Sequence, residues 1–263
     1  MIALFLFLLG TTIGSFLTVV IDRLPKGISI VHGRSQCDSC KHTLSWLDLI
    51  PLFSFVILQG KCRYCKKPIG VHHLFLELIV GALFVLTYFA TLGEFGAAEV
   101  YSSVFVATLA YRLFLISVLF VIFFIDLRHS IIPFAAVASA FVVSLIWMIV
   151  VSPSLLLGSI FAALGSFLFF FMIHAVTKGK GMGFGDVIFS FFMGFLLGFP
   201  TVVVAIYIAF LTGSVLSLIL ILAKRKKLKS AIPFGPFLVA GTVSCLLWGS
   251  QLTHAFLVLL HII

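Results

Sequence analysis

Residues 104–126 read Val-Phe-Val-Ala-Thr-Leu-Ala-Tyr-Arg-Leu-Phe-Leu-Ile-Ser-Val-Leu-Phe-Val-Ile-Phe-Phe-Ile-Asp. One arginine and a closing aspartate interrupt an otherwise apolar or weakly polar run. A helix needs ~20 mostly apolar residues to cross a bilayer, so this stretch predicts a membrane span. Working outward, similar runs lie at 2–21, 74–92, 131–151, 154–176, 186–199, 200–223 and 238–260. The apolar stretch 187–223 is too long for one crossing. Pro200, with Gly198 before it, divides it, because proline removes a backbone donor and clashes with the preceding turn. The run 47–58 spans only about half a crossing by the same measure and is read as interfacial or packed within a loop. The expected fold is all-α: a polytopic bundle of about eight transmembrane helices with one small loop domain at 22–73.

Composition agrees. Apolar residues make up 62% of the 263-residue chain and charged residues 10%, against about 25% charged in soluble domains. Thirty-one phenylalanines exceed what a water-soluble core of this size hides. Met1–Ile21 lacks the basic start and short apolar core of a signal peptide and is read as a retained first span.

The net charge is +9, but its placement argues for lipid headgroups rather than nucleic acid as the partner. Eight basic residues fall in loop 22–73, and others follow the third, fifth and seventh predicted spans as Arg128, Lys178, Lys180 and the 224–229 cluster. Sixteen of the 17 lysines and arginines thus share one side of an eight-span layout. The positive-inside rule makes that side the cytoplasm. The exception, Arg112, lies fourteen residues before Asp126, about 21 Å along the helix axis. It is read as an anchoring arginine that snorkels to the headgroups.

Loop 22–73 holds Cys37-Asp-Ser-Cys40 and Cys62-Arg-Tyr-Cys65. Two C-x2-C pairs supply four thiolates, enough to close a tetrahedron around zinc. A cytoplasmic setting disfavours disulfides. Four cysteines leave no open coordination position, so the metal is assigned to folding. Cys245 in the last span is read as a small apolar filler.

Asp126 ends the third predicted span and Asp186 opens the sixth, after Gly181-Met-Gly-Phe-Gly185. In the expected topology both reach the cytoplasmic face. Two carboxylates sharing a site cannot both ionise easily, so one holds a proton while the other is charged. Such a pair can activate water and polarise a peptide carbonyl without metal or covalent nucleophile. Gly183 and Gly185, with Gly179 and Gly181, clear side chains from the approach to Asp186. On the residues alone two readings stay open: a catalytic pair, and a flexible connector with a helix-capping aspartate.

Five segments in order resemble the type IV prepilin leader peptidases, membrane aspartic proteases of the GxGD group. They are Gly14-Ser-Phe-Leu-Thr-Val-Val-Ile-Asp-Arg-Leu-Pro25, the paired cysteines with Gly60-Lys-Cys-Arg-Tyr-Cys65, Asp126 with Ile132-Pro133, Gly181-Met-Gly-Phe-Gly-Asp186, and Ile232-Pro-Phe-Gly-Pro-Phe237. The resemblance implies an aspartic endopeptidase with Asp126 and Asp186 catalytic. It would remove the basic leader of type IV prepilins or pseudopilins at the cytoplasmic face of the inner membrane. It also implies, as in many members, N-methylation of the new N-terminus from S-adenosylmethionine. Thr18, Phe134, Val187-Ile188 and His72-His73 depart from the family's commoner residues. Glu77, near the start of the second span, is read as a helix-end charge in preference to a part in that second activity.

The expected organisation is a first transmembrane helix at 1–21, a cytoplasmic four-cysteine loop domain at 22–73 and a seven-helix protease core at 74–263. A transporter would also explain membrane aspartates, but transporter sites lie near the midplane and these lie at one face. A zinc-dependent membrane scaffold would not need the aspartates at all.

Overall fold

A computed structural model describes residues 1–30, 33, 35–37, 39–49, 51–223 and 232–261. Arg34 of the loop and the basic cluster Lys224, Arg225, Lys226, Lys227 and Lys229 lie outside the described residues. Among the described residues every named element is a helix and no strand is named. In order come α1 (Ile2–Arg23), α2 (Phe53–Ile57), α3 (Val71–Phe95), α4 (Ser103–His129), α5 (Phe134–Val151), α6 (Leu156–Val176), α7 (Phe184–Leu197), α8 (Thr201–Leu222) and α9 (Gly235–Leu259). Seven helices among the described residues are long and apolar enough to cross a membrane, which makes this a multi-pass membrane protein. The expected sixth span is α7, and its 14 residues reach only about 21 Å, short of the ~30 Å hydrocarbon core.

The boundaries follow local chemistry. The break expected at Pro200 separates α7 from α8, with Gly198 at positive φ closing α7. Helix α5 starts at Phe134 rather than 131, because Pro133 is extended and caps it from outside. Helix α9 starts three residues earlier than expected. Pro236 takes a first-turn position, where the missing N–H has no intrahelical partner to lose.

The chain forms two compact units, Met1–Ser117 and Val118–Ile263. In the first, α1 packs along α3. Gly10 and Gly14 form a small-xxx-small stripe. A Cβ on Gly10 would stand 2.8 Å from the Gly81 Cα, and one on Gly14 would stand 3.0 Å from the Glu77 Cα. Helices in lipid associate by such close packing rather than by excluding water. Tyr88 and Phe95 meet Phe105 edge-on in a small aromatic cluster. Arg112 has partners within the chain: its guanidinium pairs with Glu94 Oε2 at 2.6 Å and donates to Thr91 Oγ1 at 3.1 Å. Glu77, near the start of α3, likewise has a partner. It is buried, and its Oε2 accepts the Leu52 amide at 3.2 Å, which ties the loop to α3.

In the second unit, α6 and α7 share a small-residue seam. A Cβ on Gly194 would meet the Ala163 Cα at 2.8 Å. Ser166 Oγ donates across the seam to the Ser190 carbonyl at 2.8 Å. Helices α8 and α9 pair in the same manner, Gly241 resting on the backbone of Ala205. Cys245 is buried, as a filler would be.

Candidate active site

The second unit brings the two predicted carboxyls into one site. Asp126 sits in the last turn of α4 and is 4% exposed; Asp186 is the third residue of α7 and is 8% exposed. They lie close enough for charge on one to act on the other. Two glycines and one side chain build this arrangement. Gly235, opening α9, presses against Asp126: a Cβ there would collide with Oδ2 and lie 2.8 Å from Cγ. Gly183 precedes α7, and its N–H donates to Asp186 Oδ2 at 3.2 Å. Ile132 fills the space between. Its Cβ would stand 3.2 Å from a Cβ on Gly185, and its Cδ1 3.2 Å from one on Gly235.

Each carboxyl therefore faces a helix N-terminus, Asp186 that of α7 and Asp126 that of α9. Unpaired amides and the helix dipole favour negative charge at such ends. The capping reading of Asp186 is thus geometrically real, and it accounts for only one of its oxygens. Asp126 keeps a different feature: Oδ2 is buried and has no hydrogen-bond partner among the described residues. An unmet buried acceptor costs about 1–3 kcal/mol, so it marks a place where a donor from outside the chain fits. Gly179 takes positive φ, as the turn out of α6 requires.

Sequence reading missed His174. It lies in the last turn of α6, and Nδ1 sits 2.8 Å from the Met182 carbonyl, just before Gly183. The one signal available was a histidine within twelve residues of Asp186 at a predicted span end. Gly235 and Ile132 stood in quoted motifs, but nothing in their spacing showed that they touch the carboxyl site.

The first unit holds the four cysteines. Two knuckles of equal form carry them. Cys37 N–H donates to the His42 carbonyl and Lys41 N–H to the Cys37 carbonyl, at 3.0 and 2.8 Å. Cys62 N–H donates to Lys67 and Lys66 N–H to Cys62, at 2.9 and 3.0 Å. The four Sγ atoms lie within 4.8 Å of one another, with Cys37 and Cys65 at 3.9 Å. Sulfurs on a zinc tetrahedron at ~2.3 Å stand ~3.8 Å apart, so Cys37, Cys40, Cys62 and Cys65 fit a closed metal site. The amides of Cys40 and Ser39 hold the Cys37 thiol down to about 6, which favours the thiolate a metal needs. Asp48 braces the second knuckle: Arg63 Nε lies 2.8 Å from Oδ1, while the Ser45 hydroxyl and amide donate to Oδ2 at 2.8 and 3.0 Å.

Fold and site together define a class: a multi-pass helical membrane protein with a buried dicarboxylate site and a four-thiol loop. Residues 8–91 match the model of the bacterial peptidase A24 N-terminal domain, and residues 113–218 that of the type IV leader peptidase family. A Bacillus subtilis (strain 168) protein is 31% identical over 258 residues, covering 96% of each chain. A Pseudomonas aeruginosa PAO1 protein is 28% identical over 284 residues, covering 95% of this chain and 91% of the relative. A Myxococcus xanthus DK1622 protein is 33% identical over 225 residues, covering 84% of this chain and 64% of the relative. All three are named prepilin leader peptidase/N-methyltransferase. The chain belongs to the type IV leader peptidase family. No solved structure matches it.

Proposed function

We propose that this protein is an aspartic endopeptidase that removes the basic leader from type IV prepilins or pseudopilins. The observation that carries the reading is the pair of buried carboxyls with one oxygen of Asp126 left unmet, in a chain of this family. Asp126 and Asp186 are the catalytic residues in this proposal. The ionised member takes a proton from water as its oxygen attacks the scissile carbonyl. The protonated member polarises that carbonyl and then protonates the departing amine. The peptide C–N bond breaks, and the pair is ready again after one proton is exchanged. Gly183 and Gly185 keep the approach narrow and bare, so an extended substrate backbone can lie beside Asp186.

The site lies at the cytoplasmic face of the inner membrane, on the charge asymmetry of the loops. A basic leader is held on that side by the same rule, and its junction with the apolar pilin helix meets Asp126 and Asp186 there. Cys37, Cys40, Cys62 and Cys65 hold structural zinc, which when bound fixes the loop. Anionic headgroups are the partner for the basic loops. A second activity, N-methylation of the new N-terminus with S-adenosylmethionine as methyl donor, is part of the proposal because the relatives are so named. The chain divides in function as a first span at 1–21, a cysteine loop at 22–73 and a protease core at 74–263.

The test is purified protein with a synthetic prepilin, with and without S-adenosylmethionine, read by mass spectrometry. Cleavage after the leader, lost in Asp126→Asn and in Asp186→Asn, supports the reading. A wild-type protein that leaves every prepilin intact sinks it. A mass gain of one methyl group that depends on the donor separates the second activity from the first.

A further inference from the structure

The Met182–Gly183 peptide unit is held at both ends. Its N–H belongs to Gly183 and donates to Asp186 Oδ2 at 3.2 Å. Its carbonyl belongs to Met182 and lies 2.8 Å from His174 Nδ1. A carbonyl oxygen can only accept, so the ring carries its hydrogen on Nδ1. The chain of contacts runs from the imidazole N–H through one peptide group to the carboxyl of Asp186.

His174 holds the same loop at two further points. Its own carbonyl accepts the Gly179 amide at 2.9 Å. Its ring meets the Phe184 ring at 5.7 Å, edge to face. One residue of α6 therefore touches the loop where it leaves α6, where it approaches α7 and where α7 begins. Met182 is buried while the glycines on either side are exposed. Without the latch this glycine-rich segment would sample many conformations.

We propose that His174 is a positioning residue for Asp186, acting through the Met182–Gly183 peptide. Hydrogen bonds in series polarise one another. Donation to the Met182 carbonyl strengthens the Gly183 amide as a donor and fixes the direction from which it meets Oδ2. The other oxygen of Asp186 is then aimed by a rigid turn rather than by a loose loop. The inference rests on the endopeptidase reading for its consequence in catalysis, and on the hydrogen bonds alone for the ordering of the loop.

Asparagine provides the decisive substitution. Its side-chain amide nitrogen is as many bonds from the backbone as Nδ1, whereas that of glutamine is one bond further. In the full-length protein in detergent, His174→Ala lowers kcat by about ten- to a hundredfold, the range a small misplacement produces, with KM changed less than about twofold. His174→Asn recovers most of the loss and His174→Gln does not. Hydrogen exchange of the 179–186 amides rises in His174→Ala and returns in His174→Asn. That second measurement stands whether or not any prepilin is cut. Exchange unchanged in His174→Ala overturns the proposal, as does asparagine performing no better than glutamine. A folded wild type that cleaves nothing while exchange behaves as stated would defeat the endopeptidase reading and leave the latch in place.

Discussion

The two acidic centres of the molecule are built to opposite ends. Asp48, in the cysteine loop, has its side chain 3% exposed and is charge-paired, although its Oδ1 makes no hydrogen bond among the described residues. Arg63 pairs with one oxygen; Ser45 and Tyr64 donate to the other, the latter at 3.2 Å. Asp126, in the helical unit, is about as covered, yet its Oδ2 has neither a cation nor a hydrogen-bond partner among the described residues. A buried carboxyl matched by a guanidinium and by hydroxyl donors contributes to order; an oxygen without either is tolerated where an outside donor completes it. The contrast separates a charge-paired brace from a carboxyl left open to an outside donor.

The largest expected effects test the unmet side. Asp126→Asn and Asp186→Asn each lower prepilin cleavage by about a thousandfold or more, within the span of lost acid–base catalysis. Both variants remain extractable and melt near the wild type, because neither removes packing volume. Asp48→Asn under the same assay retains cleavage within a fewfold. An Asp48 variant as dead as the Asp126 variant would erase the distinction.

Gly235→Ala sharpens it. The new Cβ would press on the Asp126 carboxyl carbon at 2.8 Å, and a displaced carboxyl costs about a hundredfold in kcat. Gly158→Ala and Gly165→Ala serve as controls, since nothing lies within 4 Å of a Cβ at either place. They keep full activity.

The cysteine loop yields a smaller effect on chemistry and a larger one on order. Purified protein carries about one zinc per chain, and Cys37→Ser or Cys62→Ser reduces this severalfold, because a tetrahedral site loses one of four ligands. Proteolysis of the segment 27–70 then speeds up, whereas the helical unit melts as before. A protein that carries no zinc, with a loop equally resistant in both variants, counts against a structural metal.

How far the sequence shows this arrangement depends on the range of the interaction involved. Seven of the helices follow from hydrophobic length alone, which is a local property, and Pro200 marks the break between α7 and α8 from its chemistry. The two cysteine knuckles follow from a spacing that is also local. The partner of Arg112 is not legible in sequence: Glu94 lies 18 residues away and reaches it only across α3 and α4. The partner of Glu77 is hidden for the same reason, Leu52 being 25 residues off. The Gly10-x3-Gly14 stripe was visible as a helix-packing motif and went unread. Asp126 and Asp186 stood out because charges are scarce in apolar runs. Their close glycine neighbour, Gly235, did not, since contact between distant motifs leaves no periodicity to read.

The brace makes the subtlest prediction, through pH. Burial opposes the charged form of Asp48, but the Ser45 hydroxyl and amide, the Arg63 guanidinium and the Tyr64 hydroxyl outweigh it, and the carboxyl is held below the usual carboxylate range. A carboxyl depressed in the folded state stabilises it above the unfolded value, ~3.9, and that stabilisation is lost as pH falls through the lower folded value. The paired Arg63 side chain is 43% exposed, so screening limits the effect to about 1 kcal/mol or less. In the full chain, Asp48→Asn therefore speeds hydrogen exchange of the Ser45–Leu49 amides modestly at pH 6–7. The difference between variant and wild type holds down to the ordinary carboxylate range and closes below it. Metal loss in acid affects both proteins alike and cancels in that difference. A gap that widens toward low pH would mean that Asp48 is protonated in the folded loop, and the brace would then be no different in kind from the unmet carboxyl of Asp126.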